Sequence, residues 1–109
     1  MYPDAMPRVK PPRAPSVAAV CRGLADATRL RLLARISRGE VCVCDLQAEV
    51  GRDQPTVSRH LSVLRKLGLV TARKEGRWSH YRRAALPRDL ARLVDLAAPP
   101  RGGHRRRCA

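Results

Sequence analysis

The chain has almost no aromatic residues from which to build a core. Its 109 residues contain two Tyr, one Trp and no Phe, although 44% of the residues are hydrophobic. The core must therefore consist of Leu, Val and Ala, which points to packed helices. A chain of this length forms one domain at most, with a single modest core.

Apolar residues recur at helical spacing along most of the chain. The pattern predicts four helices, a β-hairpin around the turn KEGR, and a final helix, in the order α-α-α-α-β-β-α. Asp26 and Asp53 are expected N-caps, and Gly39 and Gly51 are expected to end the second and third helices. Two short helices joined by a tight turn and followed by a hairpin form a winged helix-turn-helix. The expected fold class is mainly α with this small hairpin.

The two ends of the chain differ in composition from its middle. Residues 1–15 are rich in Pro and are expected to be disordered, residues 16–98 to form the domain, and residues 99–109 to form a flexible basic tail. The start lacks the apolar stretch of a signal peptide, and either Met1 or Met6 could be the first residue. We therefore expect a cytoplasmic protein without a membrane segment, with thiols kept reduced.

The charge balance is strongly basic. The chain has 23 Lys and Arg against 9 Asp and Glu, a net charge of +14. Residues 22–83 alone hold 14 basic and 6 acidic side chains, so the excess is not confined to the tails. A basic folded domain favours a polyanionic partner, with nucleic acid first. No Cys-x-x-Cys, βαβ pattern, phosphate loop or pair of catalytic carboxylates indicates an enzyme.

The second helix of the predicted helix-turn-helix has a polar surface opposite its apolar stripe. The stripe consists of Val57, Leu61, Leu64 and Leu67. The outer surface carries the side chains that we expect to contact bases and phosphates, namely Gln54, Thr56, Ser58, Arg59 and Ser62. At the hairpin tip, Arg73, Lys74 and Arg77 are expected to reach the flanking minor groove or its phosphates. A winged helix that binds RNA or another protein is the alternative.

Four segments resemble the ArsR/SmtB family of metal-sensing winged-helix repressors: LADATRLRLL, VCVCDL, QPTVSRHLSVLRKLGLV and RKEGRWSHYR. The match runs in order over about residues 17–96. The resemblance implies a symmetric dimer formed by the first and last helices and bound to an operator with two-fold symmetry. It further implies that a toxic metal or metalloid ion releases the DNA.

Cys42 and Cys44 are the expected inducer site. Side chains at i and i+2 point about 200° apart on a regular helix, so the two sulfurs converge only at a frayed or unwound helix start. Thiolates favour As(III), Sb(III), Cd(II), Pb(II) or Zn(II) over hard cations, and a helix N-terminus helps to supply them. The alternative is that both cysteines are simply small buried residues of the hydrophobic core. A disulfide between the two cysteines is disfavoured by its strained ring.

The third ligand is the open part of this site. Arsenite sensors of the family often have a third cysteine three residues after the second, where this chain has Gln47. Cys108 is the favoured substitute, and Cys21, expected on the core-facing stripe of the first helix, is the alternative. His60 and His80 are expected to be structural. The expected inducer is As(III) or Sb(III), with a Cd(II)/Pb(II) sensor and a thiol redox regulator as alternatives.

Overall fold

The computed structural model describes residues 16–99, which contain five helices and three strands. The expectations for residues 1–15 and for the tail beyond Pro99, Cys108 included, lie outside the described residues. The expected order of helices and hairpin is confirmed, with one addition, the strand β1. The elements are α1 (Val17–Leu24), α2 (Ala27–Ile36), β1 (Val41–Cys42), α3 (Val43–Val50), α4 (Gln54–Lys66), β2 (Val70–Glu75), β3 (Trp78–Arg83) and α5 (Arg88–Ala97).

Polar caps fix where the helices begin. The carboxylate of Asp26 accepts a hydrogen bond from the backbone N–H of Arg29, and that of Asp53 accepts one from Thr56. Both N-caps are as predicted, and each satisfies a donor that the first turn leaves without a helical partner. Gly51 ends α3 at φ 67°, a left-handed conformation that glycine adopts without steric cost. Together these caps define the tight turn between α3 and α4.

The core is aliphatic, as the scarcity of aromatic residues predicted. Its fully buried members come mainly from α2, α3 and α4, and include Leu32, Leu33, Ile36, Leu46, Val57, Leu61 and Leu64. Trp78 is exposed and Tyr81 is half-buried. Two sequence predictions need correction. Leu67, the C-cap of α4, packs against the core but is only half-buried, and Cys21 is exposed rather than directed into the core.

The three strands form one antiparallel sheet in the order β1-β3-β2. The hairpin of β2 and β3 turns at Gly76 and Arg77, as expected from the KEGR signal. The strand β1, which the sequence analysis missed, pairs Val41 with Tyr81 and Cys42 with His80. The segment that carries the first cysteine of the pair is therefore hydrogen-bonded to the wing.

Helix α5 packs into the core through Leu90 and Val94, and Arg83 adds hydrogen bonds between this helix and the sheet. The guanidinium of Arg83 donates to the Asp95 carboxylate at 2.6 Å, to the Ser37 hydroxyl at 3.0 Å and to the Ala91 carbonyl at 3.1 Å. These contacts join the end of β3 to α5 and to the end of α2. None of the helices between residues 16 and 99 has the length and apolar character needed to cross a membrane.

Candidate nucleic-acid interface and cysteine site

Helices α3 and α4 form the helix-turn-helix, and the predicted contact residues lie on α4. Gln54, Arg59 and Ser62 are exposed, whereas Thr56 and Ser58 are partly buried. The Gln54 amide donates to the Ser58 hydroxyl at 3.1 Å. The Thr56 hydroxyl donates to Asp53 at 2.7 Å and holds the pKa of that carboxyl below its usual value. The start of α4 is thus an ordered polar surface that can present hydrogen-bond groups to a groove.

The two predicted wing arginines differ in their surroundings. Arg77 lies at the exposed tip, with its guanidinium 5.7 Å from the centre of the Trp78 ring. Arg73 instead donates two hydrogen bonds to Glu40, at 2.9 and 2.8 Å, and one to Glu75 at 3.2 Å. These bonds lower the pKa of Glu40 and raise that of Arg73. Arg73 therefore ties the wing to the residue that precedes β1.

A basic cleft beside α4 was missed by the sequence analysis. It has a volume of about 340 Å³ and is lined by Arg29, Arg52, Thr56, Arg59, His60 and Val63. We call it the α2–α4 cleft. The sequence alone does not mark Arg29 or Arg52 as binding residues, because only the packing of α2 beside α4 brings them together with Arg59. The signal that the sequence offers is a basic residue near the start of each of these two helices, Arg29 in α2 and Arg52 just before α4.

The two sulfurs of the cysteine pair lie 3.1 Å apart. Cys42 is the N-cap of α3, with extended backbone angles (φ −77°, ψ 148°), and its sulfur also accepts from the Cys44 N–H at 3.5 Å. The pair converges because only Cys44 lies within the helix, which is the geometry expected for an irregular helix start. Cys42 is a free thiol with 5% of its surface exposed. Cys44 is disulfide-bonded, and reduction must precede its use as a ligand.

The pair provides two soft ligands but not a third. Within residues 16–99, no three His, Cys, Asp or Glu side chains lie close enough together to hold a metal ion. His80 lies opposite Cys42 in the sheet, yet its Nε2 is 3.5 Å from the Glu75 carboxylate. His60 contacts Arg29 through Nδ1 at 3.3 Å. Cys21 is on α1, away from the pair in sequence and exposed, and Cys108 is outside the described residues.

Residues 26–72 match the model of a family described as bacterial regulatory protein, arsR family. A solved homodimeric winged helix-turn-helix DNA-binding domain from Mycobacterium bovis is 39% identical at a TM-score of 0.64, covering 73% of this chain and 72% of that one. The chain belongs to the ArsR family. This is a family of regulatory proteins rather than of enzymes, and the winged-helix prediction is confirmed.

Curated relatives of this ArsR-family chain include metal-resistance regulators. The arsenical resistance operon repressor of Escherichia coli K12 is 46% identical over 76 residues, which are 68% of this chain and 65% of that protein. A homologue of the cadmium resistance regulator CadC from Staphylococcus aureus is 39% identical over 66 residues, 60% of this chain and 54% of that protein. The chain thus spans less than two thirds of the length of both regulators.

Proposed function

We propose that the protein is a transcriptional repressor that binds operator DNA as a homodimer and leaves it when As(III) or Sb(III) binds Cys42 and Cys44. The observation that carries this proposal is the 3.1 Å approach of the two sulfurs at the N-cap of α3. Helix α3 packs against α4, the helix with the outward polar surface. A ligand at the start of α3 therefore acts on the element that supports the DNA-binding surface.

DNA binding is supported by the side chains of α4 and the wing. Arg59 and Ser62 are exposed on α4, and Arg77 is exposed at the tip of the hairpin. A helix of this size fits the major groove, where Arg and Gln can bond guanine and adenine edges. The wing tip is then positioned over the neighbouring minor groove or its phosphates.

Dimer formation is supported by apolar residues that the isolated chain leaves exposed. Val17 on α1 is 59% exposed and Leu96 on α5 is 76% exposed, and α1 packs against α5. A second copy that covers both helices would remove this surface from water. A symmetric dimer binds an operator with matching two-fold symmetry.

The coupling between inducer and DNA follows from the position of Cys42. Once the disulfide at Cys44 has been reduced by an external thiol, each of the two thiols displaces one hydroxyl from arsenous acid, and its proton leaves with that hydroxyl as water. An ion bound by both sulfurs links Cys42, the N-cap, to Cys44 in the first turn of α3, so binding depends on the conformation of that helix start. Cys42 also belongs to β1, which is paired with β3 and linked to the wing by Glu40 and Arg73. Different ligand affinities for the two conformations then shift the DNA-binding equilibrium.

The remaining coordination position distinguishes inducers. A methylated trivalent arsenical is fully coordinated by two thiolates, whereas inorganic arsenite takes three. We propose Cys108 as the third thiolate for inorganic arsenite. The likeness to the CadC homologue keeps Cd(II) or Pb(II) as a second candidate. A thiol redox regulator is a third candidate, because oxidation of the cysteine pair removes the same ligands.

The DNA-binding half is tested with a duplex selected by the protein from a random pool. Arg59→Ala should relax base preference, whereas Arg77→Ala should weaken binding to all sequences alike. Gel-shift titrations at two salt concentrations should show a steep loss of affinity with salt. Equal binding to selected and random duplexes would refute the proposal.

A further inference from the structure

The α2–α4 cleft has the charge of an anion site. Arg29, Arg52 and Arg59 line it. Asp26 and Asp53 are the acidic residues closest in sequence to Arg29 and Arg52. The carboxylate of each is an N-cap that accepts a hydrogen bond from a backbone N–H group. Three guanidinium groups around one cleft can form charge-assisted, bidentate hydrogen bonds with a phosphate.

Arg29 is held in position before any ligand arrives. Its Nε donates to the Gly23 carbonyl at 2.7 Å, and Nη1 lies 3.3 Å from His60 Nδ1. Because a guanidinium has only donors, Arg29 donates to His60 and Nδ1 accepts. The side chain is thereby ordered by folding itself, which lowers the entropy lost when it binds a ligand.

The cleft shares residues with the proposed recognition surface. Thr56 and Arg59 line the cleft and also belong to the outward surface of α4. An α-helix with its side chains is roughly as wide as the major groove, at about 10–12 Å, so the phosphates of the groove edges flank a helix inserted there. One edge then lies on the side of α4 that faces α2.

We propose that the α2–α4 cleft binds one phosphate of the DNA backbone in each half-site. The inference rests on the proposed function and adds Arg29 and Arg52 to the DNA-binding residues. A phosphate held there fixes the register of α4 in the groove without reading sequence. Arg59 then lies between the residues that contact the phosphate and the residues that contact bases.

Arg52→Ala tests the assignment, because Arg52 is exposed and its removal leaves the core unchanged. The full chain is titrated with its selected duplex and with duplexes in which single phosphates are replaced by neutral methylphosphonates. Arg52→Ala should lower affinity on the order of tenfold for all sequences. It should also reduce the salt slope by about 1 per subunit. One methylphosphonate per half-site should weaken the wild type more than it weakens Arg52→Ala, in which only Arg29 and Arg59 still contact the phosphate.

Arg38→Ala is the matched control, since it removes the same charge from an exposed residue beyond the other end of α2. It should respond to that methylphosphonate as the wild type does. If Arg52→Ala remains as sensitive as the wild type to every methylphosphonate, the assignment is wrong.

Titration with inorganic phosphate, followed by NMR of the arginine Nε–H groups, separates a DNA phosphate from a free anion. Phosphate-induced shifts of Arg29 and Arg52 without any methylphosphonate coupling would mean a site for a free anion, which overturns the DNA assignment. A protein that selects no duplex would refute the proposed function and this assignment with it. Phosphate shifts would then still show that the cleft binds anions, and their absence would show that it does not.

Discussion

Arg83 joins β3, α2 and α5, and its removal measures how firmly α5 is held. Its side chain is 20% exposed and donates to Asp95, Ser37 and Ala91. We expect roughly 1 kcal/mol from each of the two neutral acceptors. The ion pair adds about 0.5 kcal/mol, because Asp95 is half-exposed and its charge is screened by water. Arg83→Ala should therefore lower the free energy of unfolding by roughly 2–3 kcal/mol.

Thermal unfolding followed by circular dichroism, at one fixed protein concentration, measures this change. For a domain of this size the expected fall in Tm is about 10–20 °C. Arg82→Ala is the control, because it removes the same charge from the preceding residue, which is exposed. If the two variants unfold within about 0.5 kcal/mol of each other, an amount typical of neutral surface changes, the reasoning about α5 is wrong.

Three further changes test separate contacts. Asp26→Ala should cost about 1 kcal/mol of stability near neutral pH. The hydrogen bond from the Arg29 N–H holds the pKa of Asp26 below its usual value of 3.8. The stabilisation by Asp26 is therefore present above that pH and is lost as the pH falls through the folded-state pKa. In acid denaturation, the stability of the wild type should fall to that of the variant. Glu40→Gln should retain DNA binding but reduce the anisotropy change on arsenite addition, because the carboxylate that binds Arg73 and ties β1 to the wing is gone; an unchanged response would contradict that link. Deleting the tail after Pro100 should weaken the response to arsenite but not to a methylated trivalent arsenical if Cys108 is the third ligand. Loss of the arsenite response in Cys21→Ser alone would assign that role to Cys21.

Local signals in the sequence were sufficient to predict the helices. Asp26, Asp53 and Gly51 act through backbone groups within a few residues of themselves, so their roles as caps could be predicted without tertiary information. The aliphatic core followed from composition. The strand β1 could not be predicted, because two residues show no alternation and the partner strand begins 36 residues after Cys42.

The site was predicted unevenly for the same reason. The convergence of Cys42 and Cys44 could be predicted, because the helix was expected to begin at this pair. The extended ψ angle of the N-cap Cys42 turns its side chain toward that of Cys44. The prediction for Cys21 was wrong because helical spacing shows which residues share one side of α1. It does not show which of those residues contact the core. The α2–α4 cleft depends on side chains more than 20 residues apart in sequence, such as Arg29 and Arg52, and no local pattern contains that information.

The central claim is that Cys42 and Cys44 couple inducer binding to release of DNA. The most direct measurement is fluorescence anisotropy of a labelled selected duplex bound to fully reduced protein, titrated with arsenite. The wild type should release the duplex, whereas the double variant Cys42→Ser, Cys44→Ser should bind it with similar affinity and retain it throughout the titration. Release of the duplex from the double variant at the same arsenite concentration would contradict the account.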